Sequence, residues 1–362
     1  MQISINCFAD EQLRSMIEKA GRKGACDILS KTDVFIYDAT KDDYLGEAFE
    51  TVFSVFTPIK EINANSDEYS NYKVDYMYGF LKRWNIFSVS EKDIQKIIIE
   101  VGKKLYEYKP EIFEEKVTIR EFFQTDVMKN ICILQNNKWK DFCDNIKYAN
   151  RFHTNMINLI ELKRLLENME IKIYGSKLRL YRSRICDEIH YDSGYNIEDM
   201  GAPPLKCASV GRINSEGISC LYLADTYRTT FHEVRARDKD HVSVGEFVQK
   251  EDIRILDLSQ FGEIGPFSVS NIDITWFAVN IEIIRQIGKE ISKPMRRFDS
   301  SLDYIPTQYI CDYIKSLGYD GIKFNSTLCD SGINYAIFSQ EKFECVSVRL
   351  VSIDTVDYKW QS

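Results

Sequence analysis

Apolar residues in the first part of the chain recur at helical spacing. Leu13, Met16 and Ile17 share a face over Glu11–Lys23, and Val74, Met77, Tyr78 and Leu81 do so over Asn71–Trp84. Residues 90–106 open on Ser90-Glu91-Lys92-Asp93, a capping-box pattern, and continue as the stripe Ile94, Ile97, Ile98 and Val101. Asn155–Met169 repeats the pattern with Ile157, Ile160 and Leu165. Side chains three and four apart lie on one side of a helix, so these stripes predict helices that pack through them. Beyond about residue 175 the pattern shortens. Leu178–Ile185, Cys220–Ala224, His241–Val248, Ile253–Leu258, Gly321–Phe324, Tyr335–Ser339 and Cys345–Val351 read as strands. Between them, Thr226–Arg237, Ile274–Ile291 and Pro306–Leu317 read as helices, the last ended by Gly318. Strands and helices without a regular β-α-β rhythm predict a mixed sheet.

Punctuation agrees with this division. Residues 1–174 hold 5 Gly and 2 Pro, and residues 175–362 hold 12 Gly and 5 Pro. The expected class is α+β, with a helical domain over 1–174, a mixed-sheet domain over 175–362 and a boundary near Gly175-Ser176. A length of 362 residues accommodates two such domains. The net charge of -8 disfavours general binding to nucleic acid or to an acidic membrane. Ten cysteines without a C-x-x-C pair read as thiols in a reducing compartment. No run approaches 18 apolar residues and the start lacks a signal-peptide pattern, so the expected location is cytoplasmic.

The common catalytic motifs are absent: there is no P-loop, no G-x-G-x-x-G, no G-x-S-x-G and no H-E-x-x-H. Arg184 and His190 match the loose R-x(4–6)-H spacing of HEPN ribonucleases, but Arg184 falls on a predicted strand, not a helix. On that strand, period two puts Arg182 and Arg184 on one side. Two planar guanidinium forks side by side suit a diphosphate, and they also suit a solvated edge strand. Met200-Gly-Ala-Pro-Pro204 and Gly211-Arg212-Ile213-Asn214-Ser215-Glu216-Gly217 are turn-rich, and glycine lets backbone approach a ligand. In Cys220–Ala224, Leu221 and Leu223 face one way and Tyr222 the other, where its ring can stack on a flat ligand. Glu233 sits on the following helix. Four residues before Arg237, it fits a surface ion pair as well as a site. Ser326 and Thr327 follow a strand end.

The ordered run R-x-R, M-G-A-P-P, G-R-x-N-x-x-G-x-x-x-L-Y-L-A, T-x-x-E-V-R and D-G-I-x-F-x-S-T resembles the RES family over about residues 175–350. The first half resembles the HEPN/RES N-terminal domain through Asn6–Asp10, Gly24–Asp27 and Asn150-Arg151-Phe152. In such domains the start looks like a small zinc ribbon with two C-x-x-C pairs. Here Ser4 and Leu29 stand in place of the second cysteines, and two thiolates do not make a structural tetrahedral site, so no metal is expected. The RES resemblance implies an ADP-ribosyltransferase-like fold. It implies cleavage of the nicotinamide–ribose bond of NAD+, with water or phosphate as acceptor and NAD+ as substrate and not as a resident cofactor. It also implies a toxin or defence effector paired with an antitoxin or regulatory protein; the expected roles of the helical first half are to block the pocket, to hold a homo-oligomer or to receive an activating signal. Carried onto this sequence, it assigns Glu233 to the charge developing on the ribose, and Arg212 with Arg182 or Arg184 to the diphosphate. Tyr222 is assigned to the nicotinamide or its ribose and Ser326 to the nicotinamide–ribose end, with Gly211, Asn214 and Thr327 completing the binding set. The alternatives are transfer of ADP-ribose to a macromolecule and a non-catalytic module that binds NAD+ or a partner.

Overall fold

The computed structural model describes residues 1–62, 73–135, 138–175, 178–204, 206–268, 272–294 and 299–356. The chain forms two compact units, Met1–Asn137 with Glu263–Arg285, and Lys138–Gly262 with Gln286–Ser362.

The first unit begins with β1 (Gln2–Ser4), α1 (Glu11–Ala20), β2 (Lys23–Gly24) and β3 (Val34–Asp38). Asp10 caps α1 by accepting the N–H groups of Gln12 and Leu13. Gly21, at φ +68°, ends the helix at Ala20, short of the predicted Lys23. The strands pair antiparallel in the order β1-β3-β2. Next come α2 (Tyr44–Ser54), β4 (Phe56–Pro58), β5 (Val74–Tyr76), α3 (Met77–Arg83), α4 (Glu91–Val101), α5 (Lys103–Tyr108), α6 (Glu111–Glu114), β6 (Lys116–Ile119) and α7 (Thr125–Ile131), with a second sheet in the order β4-β6-β5. Ser90 caps α4 as the pattern predicts, and Ile94, Ile97, Ile98 and Val101 are its buried face. A β-carbon at Gly102 would sit 2.7 Å from the Phe53 ring, so the α4–α5 junction keeps a glycine where the aromatic core crosses it.

Two three-stranded sheets correct the expectation of a helical first half. Their strands are two to five residues long, too short for alternation to show. The helix expected over Asn71–Trp84 starts only at Met77, because Val74–Tyr76 pairs with Lys116–Thr118. Asn71 and Tyr72 lie outside the described residues. At the start of the chain, Cys7 and Cys26 do meet, with Sγ atoms 3.8 Å apart. The backbone N–H groups of Ser4 and Leu29 donate to Cys26 Sγ at 3.4 Å, so the residues that replace the second cysteines supply amides instead of sulfur. Burial, then Cys26, pushes the Cys7 thiol up to about 12.

The second unit contains α8 (Trp139–Tyr148), α9 (Leu159–Glu167), β7 (Glu170–Ile173), β8 (Arg179–Ile185), β9 (Leu221–Ala224), α10 (Tyr227–Glu233), β10 (His241–Gln249), β11 (Ile253–Asp257), the end of α11 (Ile274–Ser292), α12 (Ile305–Ser316), β12 (Gly321–Asn325), β13 (Ile333–Ile337) and β14 (Phe343–Ser352). The predicted strands are found within a few residues of their expected ends. With β7, which the sequence pattern does not predict, they form one mixed sheet in the order β14-β10-β8-β9-β13-β12-β11-β7. β11 and β12 run parallel, and the other recorded pairs are antiparallel. Leu180, Leu221, Leu223, Phe247, Tyr335 and Ile337 bury one face. On the other, Tyr181, Val242 and Val244 pack with Tyr227 and Phe231 of α10.

The compact units do not follow the boundary expected at Gly175-Ser176. α8, α9 and β7 precede it but belong to the second unit, where β7 pairs with β11. Glu263–Arg285 follows it but packs into the first unit. The composition shift tracks where turns become frequent, and packing joins segments across it. No helix among the described residues is long and apolar enough to cross a membrane.

Asn280 illustrates the cost of a buried amide in the first unit. It is fully buried, accepts from Ile133 N–H at 2.8 Å and donates to Ile131 O and Trp276 O at 2.9 Å. Asn280→Ala strands a buried donor and a buried acceptor. Chemical denaturation should therefore show a loss of about 2–3 kcal/mol.

Candidate active site

β8 and β9 pair at one couple only, Tyr181 with Ala224. Beyond it the strands part, and a cavity of about 400 Å³ is lined from both sides of the parting, by Arg182 and Ser183 of β8 and Tyr222 and Leu223 of β9. Its remaining walls include Ala208–Asn214, the end of α10, the end of α11, Phe324 of β12, Thr327 and Asn334 of β13.

Glu233 closes α10, so the four-residue spacing to Arg237 is not helical and Arg237 is not its partner. Its Oε1 accepts from Ser326 Oγ at 2.6 Å and from Asn334 Nδ2 at 2.7 Å. Its Oε2 has no partner among the described residues. Ser326 Oγ in turn accepts the N–H groups of Leu328 and Cys329, which leaves its single proton for Glu233. Among the described residues lining the cavity, Glu233 is the one acid, and Arg182, Arg212 and Lys293 are the cations.

The Gly211–Asn214 loop is held from beneath. Gln308 Nε2 donates to Gly211 O at 2.7 Å, and Thr307 Oγ1 donates to Arg212 O at 2.7 Å, both from α12. Asn214 spends its amide on the loop, donating to Ser209 O and Ile218 O, while its Oδ1 accepts the Tyr222 hydroxyl at 2.7 Å. That bond passes over Gly211, where a β-carbon would stand 2.7 Å from Asn214 Oδ1. Burial keeps the Tyr222 hydroxyl protonated, well above the ordinary tyrosine range, while 37% of the residue stays open to the cavity. The glycine is thus required by a side-chain bond and not by an unusual φ.

The three arginines separate. Arg182 lines the cavity. Its Nη1 is buried without a partner, and burial, with Arg184 as the second cause, lowers it to about 10. Arg212 is 7% exposed and pairs with Asp299 at 2.8 Å through Nη2, which also reaches Pro294 O; its guanidinium lies over the Tyr304 ring. Arg212 Nε is buried and unpaired, so Nη1 is the end left to reach a ligand. Arg184 shares a strand side with Arg182 as period two requires, yet it is absent from the cavity wall. Its Nη1 donates to Asp199 O, and its guanidinium packs on the Tyr195 ring, 4.1 Å from the centroid. His190 stacks on the same ring and holds Asp187 through Nδ1, so the ribonuclease-like spacing resolves into a surface cluster outside the cavity.

Thr327 lines the cavity and donates to Ser292 O. Thr307, Gln308 and Asp299 contribute without any sequence signal that marks them as site residues, and Asn334 is marked only as the far end of the loop after β12. Tyr222→Phe should leave Asn214 Oδ1 unpaired over Gly211. The expected result is a stability loss of about 1 kcal/mol in denaturant titration, with the fold retained.

The RES domain profile matches residues 179–361. No curated protein matches the chain. Among solved structures, the M. tuberculosis MbcT–MbcA toxin–antitoxin complex aligns at 15% identity and a TM-score of 0.31, over 53% of this chain and 92% of that one. Since the profile covers half of the chain and spans β8 through β14, the protein belongs to the RES domain family.

Proposed function

We propose that the protein cleaves the nicotinamide–ribose bond of NAD+, as a glycohydrolase or a phosphorylase. The observation that carries this reading is one carboxylate, Glu233, fixed by two donors on one oxygen, in a cavity whose other charged walls are Arg182, Arg212 and Lys293. When the C–N bond breaks, its electron pair goes to the nicotinamide nitrogen and positive charge grows on the ribose C1″ and ring oxygen. A preorganised carboxylate stabilises that charge. Nicotinamide leaves as a neutral ring, so no strong general acid is needed, and no histidine is among the described residues lining the cavity. An oxygen of water or of phosphate then bonds to C1″, and where water is the acceptor one of its protons passes to solvent. Arg212 Nη1 and Arg182 supply positive charge for the diphosphate. The open face of Tyr222 packs against the nicotinamide or its ribose.

A sheet that parts around the site supports an ADP-ribosyltransferase-like reading of the second unit. An enzyme that drains NAD+ must be restrained in its own cell, so we read the protein as a toxin or defence effector held by an antitoxin or regulatory protein.

Glu233→Gln keeps shape and both neighbours but removes the charge. It should fold with an unchanged melting temperature and lose NAD+ turnover by about 100-fold or more; wild-type turnover would remove Glu233 from the chemistry. Arg182→Met should raise KM for NAD+ by about tenfold, with a smaller effect on kcat, when both are measured by nicotinamide release.

A further inference from the structure

Glu233 has two carboxylate oxygens in unequal surroundings. Oε1 receives the Ser326 hydroxyl and the Asn334 amide, and Oε2 receives nothing among the described residues. Ser326 sits on the loop after β12. Asn334 sits inside the sheet, opposite Ala224 of β9 and Phe324 of β12, and is 8% exposed. Its position is therefore set by the register of three strands, which makes it the stiffer of the two partners. The amide bonds a carboxylate oxygen, so its NH2 group and not its carbonyl faces Glu233. The charged groups on the surrounding cavity walls are Arg182 from β8, Arg212 from the loop and Lys293 after α11.

We propose that Asn334 is a positioning residue that holds Glu233 by Oε1 and so commits Oε2 to the ribose of the substrate. The role rests on the reading of Glu233 as the group facing that ribose. Losing the amide frees the carboxylate to rotate between rotamers, which lowers the fraction in the productive pose and acts on kcat more than on KM.

The test measures kcat and KM for NAD+ with full-length Asn334→Ala, Asn334→Asp and Glu233→Gln, between about pH 5.5 and 8.5, with melting temperatures. Asn334→Ala should lower kcat by about 10- to 100-fold and change KM by less than about threefold. Asn334→Asp is the signature variant. Its carboxyl can donate to Oε1 only while protonated, and the neighbouring Glu233 charge raises its pKa. Its kcat relative to wild type should therefore rise as pH falls and collapse as pH rises, a dependence that a purely structural role would not produce. If Asn334→Ala fails to fold, Asn334→Asp, which keeps the shape, carries the test alone. A pH-independent ratio for Asn334→Asp with an inactive Glu233→Gln overturns the role of Asn334 and leaves Glu233 in place. A fully active Glu233→Gln overturns both.

Discussion

The parting of β8 from β9 is the constraint around which the second unit is arranged. Neighbouring antiparallel strands normally exchange hydrogen bonds along their length, because unpaired backbone groups are costly. Here they pair once, at Tyr181 and Ala224, and the stretches beyond become cavity walls. A sheet opened in this way needs support on both sides. β8 has it from β10, which pairs with Arg179–Ile185 through seven register positions. β9 has it from β13, through four. The opening is stable because each lip belongs to a firmly paired strand.

The loop lining the opening buries Ala208 and Ile213 and is fixed in addition by a set of polar bonds. α12 reaches up through Thr307 and Gln308, Asn214 folds the loop onto itself, and Tyr222 closes over Gly211. Each bond is modest alone, at about 1 kcal/mol. Together they set the guanidinium of Arg212 before any ligand arrives, and preorganisation of that kind reduces the reorganisation needed during reaction. Asp299 has two effects on that guanidinium. It holds Nη2 in place, and it offsets part of the positive charge that an anionic ligand would meet.

The strands of the second unit from β8 onward were legible because each buries one face over five or more residues, or is bounded by glycine and turn residues, whereas the four-residue β7 was not. The order of the motifs was legible too, and it led to the RES family, whose profile covers β8 through β14. Several features were not legible. Residues 1–137 carry strands shorter than the period that would reveal them. The unit boundary is set by β7 pairing with β11 and by Glu263–Arg285 packing back, both long-range effects. Arg182 and Arg184 share a strand side, and only the positions of Asp199 and Tyr195 decide that Arg184 serves a surface cluster. Asn334 meets Glu233 across sequence-distant elements, and a lone asparagine in a strand carries no mark of its partner.

The fate of NAD+ decides whether the cavity cleaves the nicotinamide–ribose bond. Purified protein incubated with NAD+, with and without inorganic phosphate, and resolved by chromatography, is predicted to release nicotinamide. The second product should be ADP-ribose, or ADP-ribose-1″-phosphate where phosphate is the acceptor. NAD+ that stays intact in both incubations, under conditions where the protein binds it, would contradict the assignment of the cavity to bond cleavage.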